Sequence, residues 1–256
     1  MKMDELTEII NHSDMVLIGI GREMSVLKNY TPAMLTRTNE DREDHDTIMQ
    51  YFQALYCNNE NAILDRSYQN LFNLVRDKNY FIVTTNIDDR IWNTDFDSTR
   101  IVAPCGGFRY MQCENNCNHE LYDSSQFLMN AEEFRGIHSD DLFIKEFKTL
   151  KCPQCGLNLV FCNKNAKNYN EKIYLSQWEV YTAWMQKTLN KKVCILELGE
   201  GLKYPTVIRW PFEKIAYLNQ KAVLIRIHSK LYQLTEELKE RAYSISSDPI
   251  TFLQNE

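Results

Sequence analysis

Four short and mostly apolar runs set the frame of this chain: MVLIGIG (15–21), YFIVTT (80–85), KVCILEL (192–198) and KAVLIRI (221–227). Runs this short, without polar alternation, are predicted to be strands covered on both faces. Helical spacings lie around them. Leu6, Ile9 and Ile10 predict a short amphipathic helix at the N-terminus. Leu64, Tyr68, Leu71, Phe72 and Val75 fall on one face of another, as do Trp178, Tyr181, Trp184 and Met185 further on. Helices alternating with buried strands predict an α/β fold with a parallel, doubly wound sheet.

Two intervals break this rhythm. Residues 28–61 fit no strand: the stretch RTNEDREDHD is polar and charged, and a helical pattern follows from Ile48 to Tyr56. A loop plus helical insertion over 28–70 is the expectation. The interval 103–164 holds two close cysteine pairs and reads as a smaller module. The expected division is therefore a large domain of 1–102 and 165–256, with a small module of 103–164. Residues 231–241 are expected to form a closing surface helix.

Composition narrows the picture. Of the 256 residues, 44% are hydrophobic, enough for a real core. Net charge is −6 with no run of Lys or Arg, which argues against a nucleic-acid partner. No apolar stretch approaches the roughly 20 residues a membrane span needs. The polar opening MKMDELTEII is no secretory signal, so a cytoplasmic location is expected. In that reducing setting paired cysteines point to metal before disulfide. Cys113-x3-Cys117 and Cys152-x2-Cys155, the latter in CPQCG, have the spacing of a tetrathiolate zinc site; two pairs of buried thiols are the plainer alternative. His119, two residues past Cys117, is the one histidine placed to substitute as a ligand. His12, His45 and His138 stand in polar contexts and read as surface residues. Cys194 reads as core, Cys57 as a helix face or end, and Cys162 as packing or an incidental thiol.

Three strand ends carry candidate chemistry. The first, LIGIGREMS (17–25), runs into Gly19-x-Gly21, where glycines let backbone N–H groups approach a pyrophosphate; a plain turn is the alternative. The second, TTNIDD (84–89), offers Asn86 and Asp88 as ligand contacts or as helix caps. The third, LELGEG (196–201), ends in Gly199-x-Gly201. Three such ends in one parallel sheet make a ligand crevice.

In chain order, a Gly-x-Gly turn with a nearby Ser, TTNID, two cysteine pairs and LELGEG resemble the sirtuins over nearly the whole chain. The closer likeness is to the macrodomain-linked bacterial, class M, sirtuins, whose segments look like TTNVDH and LELGVG; CENNCNHELYD is also similar to theirs. The resemblance implies a Rossmann-like NAD-binding domain with a structural zinc module. It implies NAD-dependent protein ADP-ribosyltransferase activity with release of nicotinamide. It further implies a protein substrate, a lipoyl-carrier protein among the candidates, and a macrodomain partner. It assigns Gly19, Gly21 and Ser25 to the phosphate loop, with backbone N–H groups anchoring phosphate; Arg22, where ordinary sirtuins are small and apolar, is placed to pair with the pyrophosphate. It sets Asn86 beside the nicotinamide ribose and Asp88 at the carboxamide. Gly199 and Gly201 fall near ribose and phosphates, and His228 stands where sirtuins have an Asn facing the adenosine, in place to hydrogen-bond a ribose. Cys113, Cys117, Cys152 and Cys155 match the zinc ligands.

The departures bear on catalysis. Cys105, in APCGGFRYMQC, stands where deacylating sirtuins have a His base and class M enzymes look to have Gln. A thiol is mostly protonated at neutral pH, so Cys105 is either a tolerated small residue or a thiol with its own reactivity. Glu23 would repel a pyrophosphate unless turned away, and Lys164 stands where class M enzymes look to have Arg. Deacylation is not expected. A catalytically degenerate module that binds NAD or ADP-ribose is the alternative to the transferase, with NAD hydrolysis behind it.

Overall fold

The computed structural model describes residues 1–30, 45–137 and 148–254, with His45 described in its backbone only. Six parallel strands form the main sheet: β1 (Met15–Ile20), β2 (Asn79–Thr84), β3 (Ile101–Val102), β7 (Val193–Leu198), β8 (Ala222–Ile227) and β9 (Ala242–Ile245). Their order is β3-β2-β1-β7-β8-β9. Chain direction across the sheet reverses between β1 and β7, the switch point at which open α/β sheets bind ligands. The four strands expected from the apolar runs lie at its centre.

Alternate residues along each strand feed two cores. Leu17, Phe81, Val83, Ile195 and Leu224 meet Tyr181 and Trp184 of helix α5 (Lys172–Gln186) and Phe212 of helix α6 (Arg209–Leu218). Val16, Ile18, Ile82, Leu196 and Ile225 face the other way. They meet helix α1 (Met3–His12), helix α3 (Ala62–Val75) and the short helix α7 (Pro249–Phe252). Burial on both faces explains why these strands read as unbroken apolar runs.

The second core continues into a three-stranded antiparallel sheet, β5-β4-β6. Its members are β4 (Gly106–Cys113), β5 (Tyr122–Asp123) and β6 (Leu159–Asn163). Helix α2 (His45–Cys57) bridges the two regions: Tyr51 meets Phe161 edge-on with ring centroids 4.9 Å apart. Helix α4 (Ser125–Ile137) lies against α2. The first part of the expected insertion, and His138, fall outside the described residues.

Two expectations need correction. Residues 231–241 form no helix; a 3-10 turn, Glu236–Leu238, leads into β9, an unexpected sixth strand. Guanidinium groups hold this segment open, since Arg209 donates to the Leu231 carbonyl (2.9 Å) and Arg226 to that of Gln233 (2.7 Å). Those carbonyls would otherwise accept bonds along a helix. The two-residue β3 was likewise not foreseen.

Candidate functional site

The turns after β1 and β7 interlock at the switch point. A Cβ on Gly21 would lie 2.3 Å from the Glu200 Cα, and one on Gly199 (φ +65°) would lie 2.5 Å from the Glu23 Cβ. Gly21 therefore makes room for Glu200, and Gly199 for Glu23, two residues past Gly21. Gly19 serves packing as well, since a Cβ there would meet Ile208 and Phe212 at 2.5 and 2.7 Å. Gly201 alone of the four has open space beside it. Gly21→Ala is expected to cost about 1–3 kcal/mol through overpacking. A denaturant midpoint lowered at constant slope would register it.

Several backbone amides of the turn after β1 have partners within the protein. The N–H groups of Gly21 and Glu23 donate to the carbonyls of Leu198 (2.9 Å) and Gly199 (3.2 Å). Those of Met24 and Ser25 donate to Gly21 (2.9 Å) and Arg22 (3.2 Å). These four amides are engaged within the turns.

Arg22, Ser25, Asn86 and Gly201 line one cavity of about 350 Å³ at the carboxyl ends of β1, β2 and β7. Lys164, Lys203, Thr85 and Glu200 share it. The volume lies in the range of small-molecule sites. Gly19, Gly21, Gly199, Asp88, Cys105 and His228 do not line it.

Each of these outlying residues has a different setting. Buried Asp88 accepts from Ser25 Oγ (2.5 Å), the Val26 amide (2.9 Å) and the Arg90 amide (3.1 Å). Burial raises its carboxyl above the ordinary range, and these bonds pull it back. Asp88 thus ties the turn after β2 to the loop after β1, and it faces a neighbouring cavity of about 420 Å³ beside α2. Next to it, Asp89 accepts from the amides of Phe108 (2.5 Å) and Arg109 (2.7 Å), and burial lifts it to about 6. Asn86 donates to the Met24 carbonyl (3.1 Å).

Cys105 is fully buried, and burial pushes its thiol up to about 12, with the nearby Glu200 carboxylate adding to the rise. The thiol therefore stays protonated at neutral pH. Glu23 turns away from the cavity and accepts from Ser229 N (3.0 Å) and Ser229 Oγ. His228 Nδ1 sits 3.3 Å from Glu23 but accepts the amides of Lys230 (3.0 Å) and Leu231 (3.1 Å). Its ring proton accordingly sits on Nε2. Burial lowers its pKa, which keeps the ring neutral and makes the Glu23 contact no ion pair.

An ionic network that the sequence reading missed supports the β7 turn. Glu197, inside β7, receives both prongs of the Arg226 guanidinium (2.7 and 2.9 Å) and approaches Arg209 at 3.2 Å. Arg226 also pairs with Glu213 (2.7 Å), and Arg209 donates to the Glu200 carbonyl (2.7 Å). The sequence signal was an acid and a base, Glu197 and Arg226, inside otherwise apolar strands.

The four cysteines converge as expected. Their sulfurs all lie within 4.8 Å of one another, with Cys113–Cys155 at 3.4 Å and Cys117–Cys152 at 3.7 Å. Sulfurs on a tetrahedral zinc, at about 2.3 Å each, stand about 3.8 Å apart, so the cluster fits the ion. Gly156 (φ +76°) allows the tight knuckle after Cys155. With four thiolates in place His119 is not needed as a ligand. Cys162 and Cys194 are buried, and Cys57 is buried at the end of α2.

This architecture is the sirtuin fold. A Sir2 bound to acetylated peptide superposes with a TM-score of 0.59 over 99% of this chain and 96% of that one, at 11% identity. A Sir2 complex with a peptide and NAD+ gives 0.56 over 99% and 96%, at 12% identity. No protein-family model matches. In sequence, the chain is 23% identical over 281 aligned positions to a protein ADP-ribosyltransferase of Staphylococcus aureus, covering 98% of this chain and 88% of that protein. It is 27% identical over 150 positions to a probable bifunctional ADP-ribose hydrolase/ADP-ribosyltransferase of Fusarium oxysporum, covering 57% of this chain and 25% of that protein. No helix among the described residues is long and apolar enough to cross a membrane.

Proposed function

We propose that this protein is an NAD-dependent protein ADP-ribosyltransferase of the class M sirtuin kind, releasing nicotinamide. The observation that carries the proposal is the convergence of Arg22, Ser25, Asn86 and Gly201 on one cavity at the switch point. The likeness to the Staphylococcus aureus transferase along nearly the whole chain supports it. In this reading Arg22, with Lys164 and Lys203, holds the diphosphate. Gly201 leaves room for a ribose, and Asn86 sits beside the reacting sugar. NAD supplies an ADP-ribosyl group whose bond to nicotinamide is already activated. Asp88 acts through Ser25 by fixing the loop. The division into 1–102 with 165–256, and 103–164, belongs to the same proposal, as does a cytoplasmic setting.

The buried, protonated Cys105 and the occupied oxygens of Asp88 favour a second reading, a binding module without turnover. Radiolabelled NAD+ separates the two. Incubation with whole-cell protein extract, and with a purified lipoyl-carrier protein, is expected to give labelled protein and free nicotinamide. A thermal shift with NAD+ or ADP-ribose and no nicotinamide release would select the binding module.

A further inference from the structure

We propose that Glu200 is the general base of this site, taking the proton from the acceptor nucleophile as it attacks C1′ of the nicotinamide ribose. The inference rests on the transferase reading above. Among the described residues lining the cavity, Glu200 is the only carboxylate, and no histidine or cysteine joins it. Asp88 and Asp89, on the turn after β2, face the neighbouring cavity, Glu23 is turned to Ser229, and Glu197 is tied to Arg226. The Cys105 thiol is buried away from both.

The carboxylate is held in place. Thr85 Oγ donates to Oε2 (2.6 Å), while Oε1 has no partner among the described residues. Arg209 grips the Glu200 carbonyl (2.7 Å), and Gly21 packs closely against the Glu200 backbone. Glu200 is buried (2% exposed) on the cavity wall, and a fixed acid there with one unpartnered oxygen meets the geometric demand on a general base.

The step balances without a further reagent. The C1′–N bond breaks and its electron pair leaves with nicotinamide. A lone pair of the acceptor forms the new bond to C1′. The acceptor's proton passes to Glu200 Oε1 and then to water.

Burial raises the Glu200 carboxyl to about 7, with the Thr85 bond pulling it down. Glu197 from β7 adds to the rise and Arg209 from α6 opposes it. Arg22, Lys164 and Lys203 are the other charged groups lining the cavity. A base is active when ionised, so transfer is expected to increase as pH rises through about 7.

The test follows nicotinamide release from NAD+ against pH, using the protein fraction that the wild-type chain labels. Glu200→Gln is expected to slow release on the order of 100-fold and to remove the acidic limb. Thr85→Val, which deletes the hydrogen bond favouring the charged form, is expected to move that limb to higher pH. A second readout needs no turnover. In protein labelled with carboxyl-13C glutamate and without NAD+, one resonance should titrate near 7, vanish in Glu200→Gln and move up in Thr85→Val. An active Glu200→Gln variant with an unchanged limb overturns the assignment while leaving the transferase intact. So does the absence of a resonance titrating near 7. A wild-type chain that releases no nicotinamide overturns both readings together.

Discussion

Replacing Glu197 with Ala is expected to lower stability by about 3–5 kcal/mol, among the largest effects of any single substitution in this chain. Glu197 is fully buried in β7 and neutralises Arg226, itself fully buried, with Arg209 at its edge. Among the described residues, its removal leaves Arg226 with Glu213 as its one remaining carboxylate and Arg209 with backbone carbonyls alone, and a buried charge that loses its partner costs far more than the pair contributes. Urea denaturation followed by circular dichroism reads the loss. Exchanging Glu197 and Arg226 together for apolar residues is expected to cost less than Glu197→Ala alone, because the exchange leaves fewer charges unpaired. If Glu197→Ala changed stability by under about 0.5 kcal/mol, the size of an ordinary surface substitution, the network would have no structural weight.

Removing zinc should have an effect of similar rank. Closed thiolate sites bind zinc with apparent free energies on the order of 10 kcal/mol near neutral pH, comparable to the total stability of a domain. Titrating the thiols with a mercurial reagent in the presence of a colorimetric chelator should release a single zinc per chain. Cys155→Ser should prevent its uptake, whereas Cys162→Ser should not. The zinc-free protein is expected to lose the order of the β4–β6 sheet while the six-stranded sheet persists, visible as loss of amide dispersion for residues 106–137 and 148–163. Lys164, just past β6, lines the candidate nucleotide cavity, so any thermal shift with NAD+ should shrink in parallel. A zinc-free chain with unchanged spectra would remove the ion's structural role.

Burial on both faces made the sheet's centre legible in the sequence, because it writes β1, β2, β7 and β8 as continuous apolar runs. The edges were not legible for the complementary reason. Strand β3 has two residues and β9 is half exposed, so neither leaves a periodic trace. The spacing of Leu231, Leu234 and Leu238 suggests a helix, but two guanidinium groups bound to carbonyls of that segment override it. The zinc cluster was legible because thiolate spacing is a local property. The candidate nucleotide site was legible only in outline. Glycine positions marked the turns, yet whether a glycine admits a ligand or a neighbouring loop depends on the tertiary approach. Gly201 has open space beside it, whereas Gly21 and Gly199 accommodate Glu200 and Glu23. Glu200 was hidden as the middle residue of a Gly-x-Gly turn. Its signal was a charge at the end of a buried strand, in LELGEG where the resembled segment reads LELGVG.

The segment after β1 is fastened from several sides. Ser25 and the Val26 amide hold Asp88, Tyr68 and Asn86 both donate to the Met24 carbonyl, Glu23 holds Ser229, and Lys28 pairs with Asp248. In the sheet's time-averaged motion this makes the segment a wall and not a flap. Amide protons at Val26 and Leu27 should therefore exchange with solvent at rates set by wide opening of the fold. A cosubstrate entering here would find its receptor already shaped, with little ordering entropy to lose and association governed by encounter rather than by rearrangement.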